Sequence, residues 1–248
     1  MVIVKSNKEI TKMQKAGSIT AQALQIAGES IKAGMTTYEL DKIIHRFITS
    51  KGAKPSFLGY GGFTGSACIS INDEVIHGIP GPRKIEEGDI VSVDVGAYID
   101  GYHGDSARTF AVGEISDEAK ALMKATEESL YKAIELAKPG ARIGDISASI
   151  QEYNESRGFS IVKQFVGHGV GKDLHEDPEV PNFGKAGHGI RLVAGMVIAI
   201  EPMVNFGGEA VKVLPDRWTV KTRDGSLSAH FEHTIAITAD GAVILTRP

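Results

Sequence analysis

An acid closes an apolar strand twice in this chain, in the same local frame and about half a chain apart. Gly88–Asp94 reads GDIVSVD and Gly195–Glu201 reads GMVIAIE, each a glycine, a run of β-formers and a carboxylate six residues on. Aspartate is depleted in strands. An ionised carboxylate in apolar surroundings is costly unless it is paired or bound to metal. A sequence that does this twice, in register, is expected to bring acids from two places together around a cation.

The repeat extends beyond the acids. Ala33–Gly52 (AGMTTYELDKIIHRFITSKG) aligns with Pro139–Gly158 (PGARIGDISASIQEYNESRG) at a constant offset of 106, matching Leu40 with Ile146, Ile44 with Ile150 and Phe47 with Tyr153. Gly88 and Gly195, like Asp94 and Glu201, are 107 apart. Internal repeats shape a whole architecture. Here they predict an α+β body of two similar halves, about 1–115 and 116–248, with one site at the pseudo-symmetry seam. A chain of 248 residues can bury a substantial core, and the repeat favours one domain over residues 1–248.

Composition narrows the function. A net charge of −4 with interspersed signs argues against a dedicated DNA or RNA binder. The single cysteine, Cys68, rules out an intrachain disulfide framework and suits a reducing compartment. Residues 1–7 have no signal-peptide core, and no run nears the roughly 18 apolar residues of a membrane span. The expectation is a cytoplasmic protein with no membrane partner.

Capping boxes at Ser6/Glu9 and Thr36/Glu39 predict helices to about 33 and to Lys51–Gly52. Residues 53–68 read as loop or irregular strand. Strands are predicted near 67–72, 75–77, 90–97 and 106–112, separated by turn signals. The second half repeats the order: helices near 117–138 and 143–157, then strands around 161–166, 196–203, 210–214, 229–237 and 242–246.

Two more acids open predicted strands. Asp105 lies eleven residues past Asp94, across the Asp100-Gly101 turn, and Glu232 stands in the same relation to Glu201 around the longer excursion 202–228. Cross-strand neighbours lie about 4.5–5.5 Å apart, so each pair can share a face. Four clustered carboxylates would raise one another's pKa, and two divalent cations would cancel that repulsion. The competing reading leaves each acid at a separate edge or turn, and for Asp105 alone the two readings are evenly matched. Imidazole often joins such a site. His168 and His188 both sit in Gly-His-Gly, and local sequence does not choose between them, although the polar stretch around His188 is more typical of a surface loop. His77 and His175 read equally well as surface residues; His45, His103, His230 and His233 read as structural or solvated.

Asn72–Pro80 (NDEVIHGIP), Asp94-Val-Gly with Asp105, Gly167–Glu176 (GHGVGKDLHE), Ile200–Met203 (IEPM) and Phe231–Thr234 (FEHT) resemble, in order and spacing, the signature blocks of type I methionine aminopeptidases. The resemblance runs from the first helix to the C-terminal strand. It implies the pita-bread fold, two pseudo-symmetric halves of helices on a curved antiparallel sheet, and removal of N-terminal methionine from nascent polypeptides. It implies Asp94, Asp105, His168, Glu201 and Glu232 as ligands of two divalent ions (Mn²⁺, Co²⁺, Fe²⁺ or Zn²⁺), with Asp105 and Glu232 bridging. A water or hydroxide shared by those ions would attack the first peptide bond. Glu201 would relay its proton, His175 would stabilise the tetrahedral intermediate and His77 would contact the scissile amide nitrogen.

The resemblance places Phe57, Tyr60, Phe63, Cys68, Leu174 and Trp218 around the methionine side chain, although aromatics are as readily core. Phe57, Phe63 and Leu174 depart from the Cys, Tyr and Phe that many members carry, which bears on the pocket's dimensions. A small second residue and a monomeric state are also implied. A proline-directed aminopeptidase or prolidase on the same scaffold is the rival enzyme, and a metal-free binding protein of that fold is the rival outside catalysis. Lys8, Lys12 and Lys15, with Lys212, Arg217, Lys221 and Arg223, read chiefly as solvated faces; the other reading is transient contact with ribosomal RNA.

Overall fold

The computed structural model describes residues 1–248. The first half runs α1 (Asn7–Ser30), α2 (Thr37–Ser50), β1 (Lys54–Pro55), β2 (Ala67–Ile71), β3 (Glu74–Ile76), β4 (Ile90–Ile99) and β5 (Tyr102–Ala111). Both capping boxes form: Glu9 and Glu39 accept from the backbone N–H of Ser6 and Thr36 at 2.8 Å. The helix α1 stops at Ser30, short of the expected 33, and α2 runs out before Gly52, which takes the left-handed conformation (φ +74) that favours glycine.

The second half runs α3 (Asp117–Leu136), α4 (Ile143–Glu155), β6 (Ser160–Ile161), β7 (Gly167–Gly169), β8 (Glu176–Val180), β9 (Val197–Ile200), β10 (Met203–Asn205), β11 (Val211–Val213), β12 (Val220–Thr222), β13 (Ser228–His230), β14 (His233–Thr238) and β15 (Gly241–Ile244). Pro139 disfavours helix in the residue before it, so α3 ends short of the predicted 138. The predicted strand 161–166 shrinks to two residues, while Gly167–Gly169 is itself a strand. The β8 and β12 strands, too polar to announce themselves, are additions.

Each half has its own apolar core. Leu24, Leu40, Ile44, Ile48, Ile69, Val91 and Val93 bury the inner faces of α1 and α2 against β2 and β4. Leu122, Leu130, Ile146, Ile150, Ile198, Ile200 and Ile235 do the same for α3 and α4. The sheet is divided into four antiparallel ladders, of which β1/β2–β4–β5 and β15–β14–β9–β7–β8 are the largest.

The two largest ladders meet through short polar links. Glu232 N–H donates to Ala107 O at 2.9 Å. Ser106 Oγ donates to Glu232 O, Thr109 Oγ1 to His230 O and Thr234 Oγ1 to Asp105 O, at 2.6–2.9 Å. This seam clamps β5 of the first half against residues 230–234 of the second, bringing Asp105 beside Glu232.

Candidate metal centre and substrate cavity

The expected pairing of acids holds, with a different register in the first half. Asp105 does not open its strand but lies inside β5, opposite Gly96, while Asp94 opposes Ala107. The two acids are therefore diagonal neighbours on one face of the ladder, two residues out of direct opposition. Gly96 leaves the position facing Asp105 free of a side chain; a Cβ there would lie 2.6 Å from Ser56 Cβ and 2.9 Å from Phe57 Cε1.

In the second half both predicted strands break at their acids. The segment 196–203 divides into β9 and β10 around Glu201-Pro202, and 229–237 divides into β13 and β14 around Phe231-Glu232. Pro202 has no N–H to give a ladder. Glu232 sends its N–H across the seam instead. Since His233 pairs with Ile200, Glu201 and Glu232 leave the ladder at facing ends. Asn182 Nδ2 fixes the Glu201 carbonyl at 2.9 Å.

His168 joins the acids and His188 does not. Gly167 and Gly169 seat His168 within β7, between β8 and β9. Its Nδ1 donates to Gly169 O at 2.8 Å, so Nε2 carries the free lone pair. That Nε2 lies 3.5 Å from Glu201 and 3.7 Å from Asp105. Donor atoms of Asp105, His168 and Glu232 all lie within 4.8 Å of one another, a spacing one ion can share. His188 is exposed, its Nδ1 facing Ala186 O at 3.1 Å in a surface loop.

Burial sets the electrostatics. Burial, then the nearby charges of Asp105 and Glu201, raises Asp94 well above the ordinary carboxylate range; burial and Asp105 do the same to Glu201. Glu232 is raised by burial and by Asp105, Glu201 and Asp94 in turn, and burial pushes Asp105 up to about 7. Burial and His175 push His168 down to about 3. Asp94 Oδ1, Asp105 Oδ1 and Glu232 Oε1 are buried with no hydrogen-bond partner. Unpartnered carboxylate oxygens in contact with one another and with a neutral imidazole suit a cation's coordination sphere.

A cavity of about 390 Å³ opens above this floor, and all thirteen residues singled out in the sequence line it, together with Ile76, Phe165 and Val166. Phe57, Phe63, Cys68 and Leu174 form a buried apolar cluster on one side, with Trp218 edge-on to Phe63 at 5.1 Å between centroids. Tyr60 is half-exposed at the rim, its hydroxyl 2.7 Å from His175 Nδ1. His77 sits edge-on to Phe165 and Trp218 in a left-handed backbone conformation (φ +60) uncommon for a non-glycine residue. Burial, then His175, pushes His77 down to about 4, and burial lowers His175. His77 is thus half-buried in the cavity wall, whereas His175 stands exposed at the mouth, where Tyr60 holds its Nδ1.

His230 was missed. It is buried, with Nε2 unpartnered and 3.7 Å from Glu201 Oε2. Its only sequence signal was its place two residues before Glu232.

The description "Metallopeptidase family M24" matches residues 11–239. A methionine aminopeptidase 1 of Bacillus subtilis is 56% identical, with each chain covered in full. The crystal structure of a methionine aminopeptidase from Thermotoga maritima superposes with a TM-score of 0.98 at 48% identity, again covering both chains fully. A prolidase from Pyrococcus horikoshii shares the fold at a TM-score of 0.80 and 29% identity, over 64% of its own length. The two halves thus form a pita-bread fold, and the chain belongs to metallopeptidase family M24, among its methionine aminopeptidases.

Proposed function

We propose that Asp94, Asp105, His168, Glu201 and Glu232 hold two divalent ions with which this metallopeptidase removes methionine from the N-terminus of polypeptides, favouring a small second residue. The observation that carries the assignment is the convergence of three buried acids, the half-buried Asp94 and one imidazole on the floor of an apolar-walled cavity. Asp105 and Glu232, meeting across the seam, suit the bridging positions. When bound, the ions would supply Lewis acidity to a water and to the scissile carbonyl. Four carboxylates and one imidazole suit Mn²⁺, Co²⁺, Fe²⁺ or Zn²⁺.

The chain's own groups do the rest. With the Tyr60 hydroxyl engaging Nδ1, Nε2 is the ring nitrogen of His175 left for the substrate, and as Nε2–H it would stabilise charge developing on the carbonyl oxygen. His77, neutral and held between Phe165 and Trp218, is placed to meet the scissile amide nitrogen. Glu201, its pKa raised by burial, can carry a proton from the attacking water to the leaving amine. The cluster of Phe57, Phe63, Cys68 and Leu174 offers a methionine thioether aromatic and apolar contact. A small second residue is what the family resemblance implies, and the rings of His77 and Trp218 in the cavity wall are the groups that would limit its size.

The protein works as one catalytic domain, 1–248, because the floor draws on both halves. A monomeric state is what the family resemblance suggests, and nascent-chain substrates suit a cytoplasmic location; the structure has no helix long and apolar enough to cross a membrane. The basic residues are partly engaged: Lys15 pairs with Asp100 and Lys221 with Asp73, both at 2.8 Å. This thins the surface available to ribosomal RNA, and pelleting with ribosomes without a salt-sensitive component would remove that contact.

The test compares Met-Ala-Ser, Met-Leu-Ser, Ala-Ala-Ser and Ala-Pro-Ser with chelator-stripped enzyme and with each metal restored. Release of methionine from Met-Ala-Ser only when metal is present is the expected result. Preferential cleavage of Ala-Pro-Ser would overturn the specificity, and cleavage unaffected by chelation would overturn the metal assignment.

A further inference from the structure

One buried ion pair ties the first residues of the sequence to the segment that carries Leu174 and His175 into the cavity wall. Lys5 lies just before α1, and its backbone N–H donates to Gly195 O at 2.7 Å. Position 195 must be glycine for this approach: a Cβ there would fall 2.5 Å from Val4 Cγ1 and 2.7 Å from Lys5 O. Lys5 Nζ donates to Glu176 Oε2 at 2.5 Å and to Ile3 O at 3.0 Å. The two side chains are 2% and 5% exposed. The other Glu176 oxygen accepts from Lys172 N–H at 2.9 Å and, more weakly, Asp173 N–H at 3.4 Å. Gly171 makes room for that carboxylate, since a Cβ would lie 2.0 Å from Glu176 Oε1. Leu174 and His175 sit within the turn so closed.

A buried ion pair is no more stabilising than a well-packed apolar pair, yet loss of one partner strands the other's charge. Its place beside the site therefore points to geometry rather than to stability. We propose that Lys5 is a positioning residue for the reaction: through Glu176 it fixes the turn 171–176, which presents Leu174 to the methionine side chain and His175 to the scissile carbonyl. Without the ammonium, the Glu176 carboxylate turns toward water and releases the N–H groups of Lys172 and Asp173, so the turn relaxes. The inference rests on the assignment of Leu174 and His175 to the substrate.

The test uses full-length, metal-saturated enzyme and three variants. Lys5→Met should lower kcat on Met-Ala-Ser by about 10- to 100-fold, the loss that a displacement of roughly 1 Å brings. Its metal affinity by calorimetry should stay at the wild-type value. In Lys5→Met/Glu176→Gln the acceptor for Lys172 N–H remains and no charge is stranded, so most of the rate should return. In Lys5→Met/Glu176→Met the apolar pair keeps the protein folded, but the acceptor is gone and the rate should stay low. Wild-type kcat in Lys5→Met or Lys5→Met/Glu176→Met overturns the proposal, as do equal rates in the two double variants. If Lys5→Met does not fold, the two doubles decide. His175→Ala separates the two readings: a wild-type rate there refutes the role of His175, whereas a slow His175→Ala beside a fast Lys5→Met refutes the positioning role of Lys5 alone.

Discussion

Replacing Asp105 by asparagine should change the pH dependence of stability in the metal-free protein by a calculable amount. Asp105 is 3% exposed with Oδ1 unpartnered, and burial pushes its pKa from 3.8 up to about 7. An acid with a raised folded-state pKa binds its proton more tightly in the fold than in the unfolded chain. Its neutral form favours the fold at low pH, and that contribution disappears as pH rises through about 7. Two of the roughly three pKa units separating the two states lie between pH 5 and pH 7. At about 1.36 kcal/mol per unit this amounts to ~3 kcal/mol. Asparagine has nothing to ionise. From pH 5 to pH 8 the stability difference should therefore move by ~3 kcal/mol in favour of Asp105→Asn. Removing the Asp105 charge also relieves Asp94, Glu201 and Glu232, which it raises, and this adds in the same direction. Half-buried histidines such as His77 and His233, pushed down to about 4, act in the opposite sense below pH 6.5. They are common to both proteins and cancel in the difference. Urea unfolding of both proteins in chelator at pH 5 and pH 8 measures it. Adding Mn²⁺ or Co²⁺ at pH 8 should narrow the difference, since a ligand at a hundredfold over its Kd stabilises by about 2.7 kcal/mol and the wild type binds more tightly. A difference that is the same at both pH values, or that moves toward the wild type, refutes the reasoning.

Gly167→Ala would put a Cβ 2.4 Å from Ala199 O and 3.2 Å from Val180 Cβ, forcing β7 and His168 outward; a stability loss of about 1–3 kcal/mol and a fall in kcat at saturating metal should appear together in melts and turnover. Leu174→Ala opens the apolar cluster, so KM for Met-Ala-Ser should rise while the melt shows a loss of about 2–5 kcal/mol. His230→Leu removes the unpartnered Nε2 and should stabilise the metal-free protein by about 1–3 kcal/mol, with kcat reduced because Glu201 loses a polar neighbour. An unchanged melting temperature would show that His230 is satisfied in solution.

The four acids were legible because a carboxylate in an apolar strand contradicts its surroundings, and the contradiction occurs at matched positions. Much of what happens around them was not. The β-forming pattern ran on through both acids; Pro202 marks the break after β9 in the sequence itself, whereas the break before β14 comes from a bond that Glu232 makes to the other half and is tertiary. The choice of His168 over His188 is likewise tertiary. Gly167 and Gly169 are packed against Ala199 O and Asp177 O, whereas a Cβ on Gly187 would meet nothing within 4 Å. Identical tripeptides thus carry different constraints. Lys5 gave no signal at all, because a lysine near a chain end reads as solvated until the fold encloses it.

The seam between β5 and residues 230–234 makes the candidate cation site a joint between the halves. Asp94 and Asp105 belong to one half, and His168, Glu201 and Glu232 to the other, so neither half alone encloses it. An ion bound there would act as a fastener, its binding free energy resisting separation of the halves. The halves meet that shared demand differently: one carries its aspartates on an unbroken hairpin, while the other presents glutamates at strand ends and adds an imidazole.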